Sequence, residues 1–222
     1  SMGLEDLKPF NPREKVIEYL LEDENKAAKL VDLTVSEFAN ETSRESPAPG
    51  GGTIAAYMGA LGAALGTMVA NLSAHKRGWD ERWEEFSQWA DRGQDIVRRA
   101  LHLVDEDTEA FNRIMDAFGL PKGTEEEKAA RSQAIQDATL YATKVPLETM
   151  KTAYAAFDIC RAMAQEGNPA SVSDAGVGAL AARSAVLGAW LNVRINAASL
   201  KDRATADAIL AEAKEMAENA QQ

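Results

Sequence analysis

Three segments of the sequence carry residue types that can move protons or hold an anion. The first is Ser46-Pro47-Ala48-Pro49-Gly50-Gly51-Gly52-Thr53. Consecutive glycines let backbone approach a ligand closely, and the segment enters an Ala/Gly-rich helix whose first-turn amides attract negative charge. No Gly-Lys-Ser/Thr follows, so this is not a nucleotide P-loop. On its own it reads equally as a corner stiffened by prolines. The second segment, Val104-Asp105-Glu106-Asp107-Thr108-Glu109-Ala110-Phe111, is acidic. At about 100° per residue an apolar stripe runs Val97, Leu101, Val104, Thr108, Phe111, Met115, Phe118, and Asp107 falls on its flank while Asp105, Glu106 and Glu109 point to solvent. A carboxyl pressed against apolar neighbours has a raised pKa, which suits a group that must both take and give a proton near neutrality. The alternative is a rim aspartate hydrogen-bonded to another helix. The third is Asn168-Pro169-Ala170-Ser171-Val172-Ser173-Asp174-Ala175-Gly176, where Ser173 or Asp174 can cap the next helix and Asp174 is a second candidate acid.

Other polar groups rank below these. Asn192 and Asn196 share a face at i, i+4 in an otherwise apolar segment that also carries Arg183 and Arg194. Amides buried there need partners on another helix or on a polar ligand. His75-Lys76-Arg77 either compensates a helix C-terminus or offers an anionic ligand a basic patch. Cys160 has no histidine beside it and reads as an inert thiol. Two histidines, His75 and His102, with one cysteine are too few for a Cys/His zinc cage, and no Glu-x-x-His pair is present for a di-iron bundle. No metal site is expected.

Helices must position these groups. Helical periodicity places five long helices at about 53–75, 80–118, 124–165, 173–199 and 203–220, on the usual boundary uncertainty of a few residues. Gly78, Gly119-Leu120-Pro121-Lys122-Gly123 and Gly167-Asn168-Pro169 punctuate them. A short amphipathic helix over Leu30–Phe38 has Thr34 and Glu37 in the capping-box relation. Pro146 predicts a kink or break near Val145, because it lacks an amide donor and its ring crowds the preceding turn. No alternating strand pattern competes. From Gly50 to Ala74 there is no charged residue, and alanine and glycine dominate; a membrane span is disfavoured because those residues contribute little transfer energy. A buried helix packed closely on the Ala/Gly-rich segment 173–199 fits better. The expected fold is therefore all-α, a bundle around two buried small-residue helices, with a leader or linker at 1–30 and a helical domain at 31–222. Trp79, Trp83, Phe86 and Trp89 recur at steps of three and four and read as packing or a dimer seam.

The 222 residues include 24 Lys plus Arg and 35 Asp plus Glu, a formal net charge of −11. That balance excludes phosphate-backbone binding, which needs concentrated positive charge. Apolar residues at 45% argue for a folded core rather than disorder. No secretory n-region and h-region open the chain, so a cytoplasmic location is expected.

Taken in order, Ser46 to Thr53 with the Ala/Gly helix behind it, Val104 to Phe111, Leu120-Pro121-Lys122 with Thr124-Glu125-Glu126-Glu127-Lys128, Val145-Pro146-Leu147 and Ser173-Asp174 resemble the formiminotransferase-cyclodeaminase family in its cyclodeaminase and cyclohydrolase domain. The resemblance covers roughly residues 30–203. It implies an all-helical dimer or higher homo-oligomer that closes 5-formiminotetrahydrofolate to 5,10-methenyltetrahydrofolate with loss of ammonia, without metal or cofactor. Methenyltetrahydrofolate hydrolysis is the near alternative, and a non-catalytic helical interaction module the distant one. On the family pattern Asp107 is the proton-transfer group and Asp174 a second catalytic acid. Ser46, Gly50, Gly51, Gly52, Thr53, Arg77, Lys122 and Asn192 are the candidate substrate contacts. A formiminotransferase domain or subunit is an implied partner, and the 1–30 leader resembles the connection that follows one.

Overall fold

The computed structural model describes residues 29–222. The expected leader lies outside these but for its last two residues. A 3₁₀ turn at Leu30–Asp32 precedes six α-helices, α1 (Val35–Thr42), α2 (Gly51–Ala74), α3 (Trp83–Gly119), α4 (Glu125–Glu166), α5 (Val172–Ala198) and α6 (Arg203–Asn219), and no strand occurs among the described residues. The long helices begin and end within three residues of the expected positions. Their starts are chemically marked. The Thr34 hydroxyl accepts from the Glu37 amide at 3.2 Å while the Glu37 carboxylate accepts from the Thr34 amide at 2.9 Å, and Thr124 with Glu127 repeats the pair at α4.

The charge-free helix α2 is the centre of the bundle, with Ala55, Ala56, Ala63, Val69 and Ala70 fully buried. It runs antiparallel to α5: Gly51 faces Asn192, Gly59 faces Ala185, Gly62 faces Gly178 and Ala182, and the Ser73 hydroxyl accepts from the Asn168 amide at 2.8 Å beside the start of α5. At the crossing a Cβ added to Gly62 would lie 2.8 Å from the Gly178 carbonyl oxygen, and one added to Gly178 would lie 2.9 Å from that of Gly62. The two backbones therefore touch directly, which is why small residues crowd both helices. α3 crosses the other flank of α2, its Gly93 against Thr67 and Ile159 and its Asp107 against Gly52.

Of the kink or break expected at Pro146, a break is not found, since α4 is continuous through it. Proline has no N–H for the Ala142 carbonyl one turn earlier, and Asn196 of α5 supplies the missing donor, its Nδ2 lying 2.7 Å from that oxygen. The face of α3 also differs from the expected stripe. Phe86, Ala90, Ala100, Leu103, Val104, Ala110 and Ala117 are the buried residues, whereas Phe111, Met115 and Phe118 are exposed. Asp107 thus lies within the core-facing row rather than at its edge. The row is built mostly of alanine, which a stripe of large apolar residues does not reveal. Trp79 stacks on buried Phe86 with centroids 5.6 Å apart, so that part of the aromatic set is packing, while Trp83 faces outward.

Candidate active site

Asp107 reaches the N-terminus of α2 because the residues it meets there, Gly52 and Thr53, are small. A Cβ on Gly52 would lie 2.8 Å from Asp107 Cγ, 2.9 Å from Oδ2 and closer still to Oδ1, so only glycine leaves room for the carboxyl group. Thr53 Oγ1 donates to Asp107 Oδ2 at 2.8 Å and accepts from the Gly50 amide at 3.2 Å, tying the carboxyl to the glycine corner. The first-turn amides of α2 have no carbonyl within the helix to bond, and they face this carboxyl with the positive end of the helix dipole. Burial nevertheless dominates: desolvation raises the Asp107 pKa above the ordinary value, and the Thr53 hydroxyl and amide offset only part of that rise. A carboxyl group held neutral more readily than in water, but with donors ready for its anion, can accept and return a proton.

Around it lies a cleft of about 180 Å³ lined by Pro47, Ala48, the three glycines, Thr53, Thr108, Phe111, Ile114, Ala142, Asn192 and Asn196. Larger hollows exist, one of about 620 Å³ beside Leu30 and one of about 480 Å³ between α2 and α3 near His75. Neither joins a buried carboxyl to a helix N-terminus. Asn192 hangs over Gly51 and lines the cleft, its amide donating to the Gly188 carbonyl at 3.0 Å.

The single chain brings together Asp107, Gly50, Gly51, Gly52, Thr53 and Asn192. Ser46 sits just outside, its hydroxyl donating to the Ala48 carbonyl at 2.8 Å. It does not bring in the rest. Eighteen residues of α5 separate Asp174 from Asn192, about 27 Å at 1.5 Å per residue. Arg77 follows the far end of α2, and Lys122 follows the C-terminus of α3, where it lines a basic hollow with Lys128, Arg131 and Lys201. Glu106, expected in solvent, is instead half-enclosed and accepts from Tyr141 Oη at 3.0 Å and from Arg99 at 3.1 Å. Asp105 accepts from the Leu30 amide at 2.9 Å. Both carboxylates are committed to structure. Burial pushes the Cys160 thiol up to about 11, which leaves it inert as expected. Among the described residues no group of three or more His, Cys, Asp and Glu is placed to hold a metal ion. Thr108 was legible only as an apolar-stripe residue, and its place on the cleft wall could not be read from spacing.

The architecture and cleft define, over the described residues, an all-helical protein with a buried carboxyl at a glycine-rich helix N-terminus. The chain belongs to the formiminotransferase-cyclodeaminase family, whose pattern it matches over residues 34–215. It is 40% identical to the methenyltetrahydrofolate cyclohydrolase of Methylorubrum extorquens over 81% of this chain and 86% of that protein. It is 36% identical to the formimidoyltransferase-cyclodeaminase of Rattus norvegicus over 90% of this chain, which spans 37% of the rat protein's length. The fold superposes on the formiminotetrahydrofolate cyclodeaminase of Thermotoga maritima with a TM-score of 0.72 at 26% identity, covering 85% of this chain and 91% of that one.

Proposed function

We propose that the protein is a tetrahydrofolate cyclodeaminase, converting 5-formiminotetrahydrofolate to 5,10-methenyltetrahydrofolate and ammonia. The observation that carries this reading is the buried Asp107 carboxyl between Thr53 and Gly52. In the reaction the second folate nitrogen attacks the formimino carbon, a carbon–nitrogen bond forms, and that nitrogen loses its proton. The formimino nitrogen then leaves as ammonia, which requires a proton on it. Asp107 receives the first proton and delivers the second, so one carboxyl serves both halves. The free amides at Gly51 and Gly52 and the Asn192 side chain hold the polar edge of the substrate. Only proton transfer is required, and the reading includes neither metal nor redox cofactor.

Similarity to the cyclohydrolase over most of that protein's length favours a second reading on the same site. There water attacks the methenyl carbon and gives one proton to Asp107; as the new hydroxyl loses its second proton and becomes a formyl carbonyl, the ring nitrogen takes one proton while its bond to carbon breaks, and the other proton passes to solvent. Each activity is read directly. Purified protein supplied with 5-formiminotetrahydrofolate should release ammonia and methenyl absorbance in equal amounts above the spontaneous rate. Loss of absorbance from supplied methenyltetrahydrofolate, with no activity on the formimino compound, would instead assign hydrolysis.

The reading includes a homodimer. Leu61, Met68 and Leu72 of α2 and Val177, Leu180 and Leu191 of α5 are all more than a third exposed, and from the Gly62–Gly178 crossing they fall on one shared flank. That flank runs from the Asp107 end of the bundle to the Asp174 end. A two-fold axis across its middle covers the apolar face and sets the partner subunit's Asp174 end against this chain's cleft. Mixed D107N and D174N proteins, each inactive alone, should then regain about a quarter of wild-type activity, from the one intact site in each heterodimer. No recovery after subunit exchange, or a monomeric mass in solution, would dismiss the shared site.

A further inference from the structure

The helix α3 outruns the helix it packs on. α2 begins at Gly51 beside Asp107, and α3 continues antiparallel to it for about three more turns, to Gly119. On those turns Phe111, Met115 and Phe118 share a face with Asp107, within about 80° of arc, and each is more than a third exposed. Phe111 also lines the cleft. An apolar stripe therefore leads out of the cleft, and it ends at the basic hollow of about 250 Å³. There the Arg131 guanidinium lies over the Phe118 ring, 5.6 Å from its centroid, and donates to the Phe118 carbonyl at 3.0 Å. α4 joins the same two places on the other side, with Ala142 at the cleft and Ser132 at the hollow, about 15 Å apart at 1.5 Å per residue. The hollow gathers positive charge on a chain whose formal net charge is −11. Lys128 is paired with Glu125 at 2.7 Å. Among the described residues Lys122, Arg131 and Lys201 have no carboxylate partner, and Lys201 Nζ donates to the Ser132 hydroxyl at 2.7 Å. Arg131 has a structural use as a cap on the end of α3. The two exposed lysines have none of that kind, and like charges gathered beside it repel one another unless an anion joins them.

We propose that this stripe and hollow bind the tail of the folate, its p-aminobenzoyl ring lying along Phe111 and Met115 and the carboxylates of its glutamate end held by Arg131, Lys122 and Lys201. The site rests on the folate reading above. With the polar edge of the pterin at the start of α2, the remaining arm of the substrate offers a flat apolar ring and then carboxylates. The protein offers an apolar stripe and then cations, in the same order and along one line. The tail carries no reacting atom, so its contacts strengthen substrate and transition state alike and act on KM rather than kcat.

The experiment compares wild type with the double variant Lys122→Gln, Lys201→Gln, whose changes fall on exposed side chains. Steady-state kinetics are measured on whichever of the formimino and methenyl compounds the wild type consumes, each prepared with no glutamate (the tetrahydropteroate form), with one and with three. Wild-type KM should fall as glutamates are added. The double variant should raise KM on the glutamate-bearing substrates by roughly three- to tenfold at unchanged kcat, the worth of two exposed charge contacts, and should match wild type on the tetrahydropteroate form. An equal rise on all three substrates would overturn the proposal, since it marks a structural role for the lysines. So would wild-type KM values in the double variant throughout. A wild-type KM indifferent to the tail would overturn it as well, leaving the stripe to a protein partner and the hollow to a free anion. Each of these results keeps the folate reading, because turnover itself is observed. A wild type that consumes neither compound removes that reading and this site with it.

Discussion

Asp107→Asn should abolish turnover, by about 10²–10⁴-fold for loss of a general acid–base group, while folate binding persists. Asparagine keeps the size of the side chain and an oxygen for the Thr53 hydroxyl to bond, so the cleft retains its form. What disappears is the capacity to take a proton from the attacking nitrogen or water and give it to the leaving one. Stability should move the other way. Because burial raises the Asp107 pKa, the folded state holds its proton more tightly than the unfolded state does. Above the ordinary carboxylate value the unfolded chain ionises freely while the folded one resists, so the penalty grows as pH rises to the raised folded value and is constant beyond it. D107N escapes that penalty. Its Tm at pH 7 should equal or exceed that of wild type, and the difference should vanish in acid below the usual carboxylate range. Full activity in D107N, with binding unchanged, would remove Asp107 from the mechanism. A site that is less stable than its inert variant is the ordinary cost of function.

Gly62→Ala should be among the most damaging single methyl additions in the described residues. The added carbon would meet the Gly178 carbonyl oxygen at 2.8 Å and the Ala182 nitrogen at 2.9 Å, both of them backbone atoms that cannot swing aside. The helices α2 and α5 must separate, and every alanine contact along the crossing loosens with them. Overpacking of this kind costs about 3 kcal/mol, near the upper end of the usual range, which for a chain of this length lowers Tm by roughly 6–12 °C. The effect should reach the cleft, because Gly51 and Asn192 face each other along the same pair of helices. By contrast Gly176, whose added Cβ would meet nothing within 4 Å, should accept alanine with little change. Equal Tm values for the two variants would show that the helices are not held by backbone contact.

The contrast between those glycines shows where reading a sequence stops. Apolar periodicity, the Thr34 and Thr124 capping boxes and the Gly/Pro punctuation are local physics, so the helices and their ends were legible without coordinates. The charge-free run from Gly50 to Ala74 likewise marked the central helix, because a face with no polar side must be covered on all sides. Asp107 was singled out for pressing toward apolar neighbours, and the pressure is real. Its neighbours, however, are Gly52, Thr53 and a row of alanines rather than the large residues of the expected stripe.

Contacts between helices distant in sequence were decided only by the tertiary structure. Pro146 predicted a kink or break from local chemistry, and the amide of Asn196, fifty-four residues beyond Ala142, bonds the carbonyl that the proline leaves unpaired. Asp174, Arg77 and Lys122 were expected at the same site as Asp107 but stand at other ends of the bundle, since a helix separates its residues by 1.5 Å each however closely their motifs follow in sequence. Residue type and spacing determined which elements form and which side chains are able to react; which of them meet is set by how closely two backbones can approach, and that distance exists only in the packed fold.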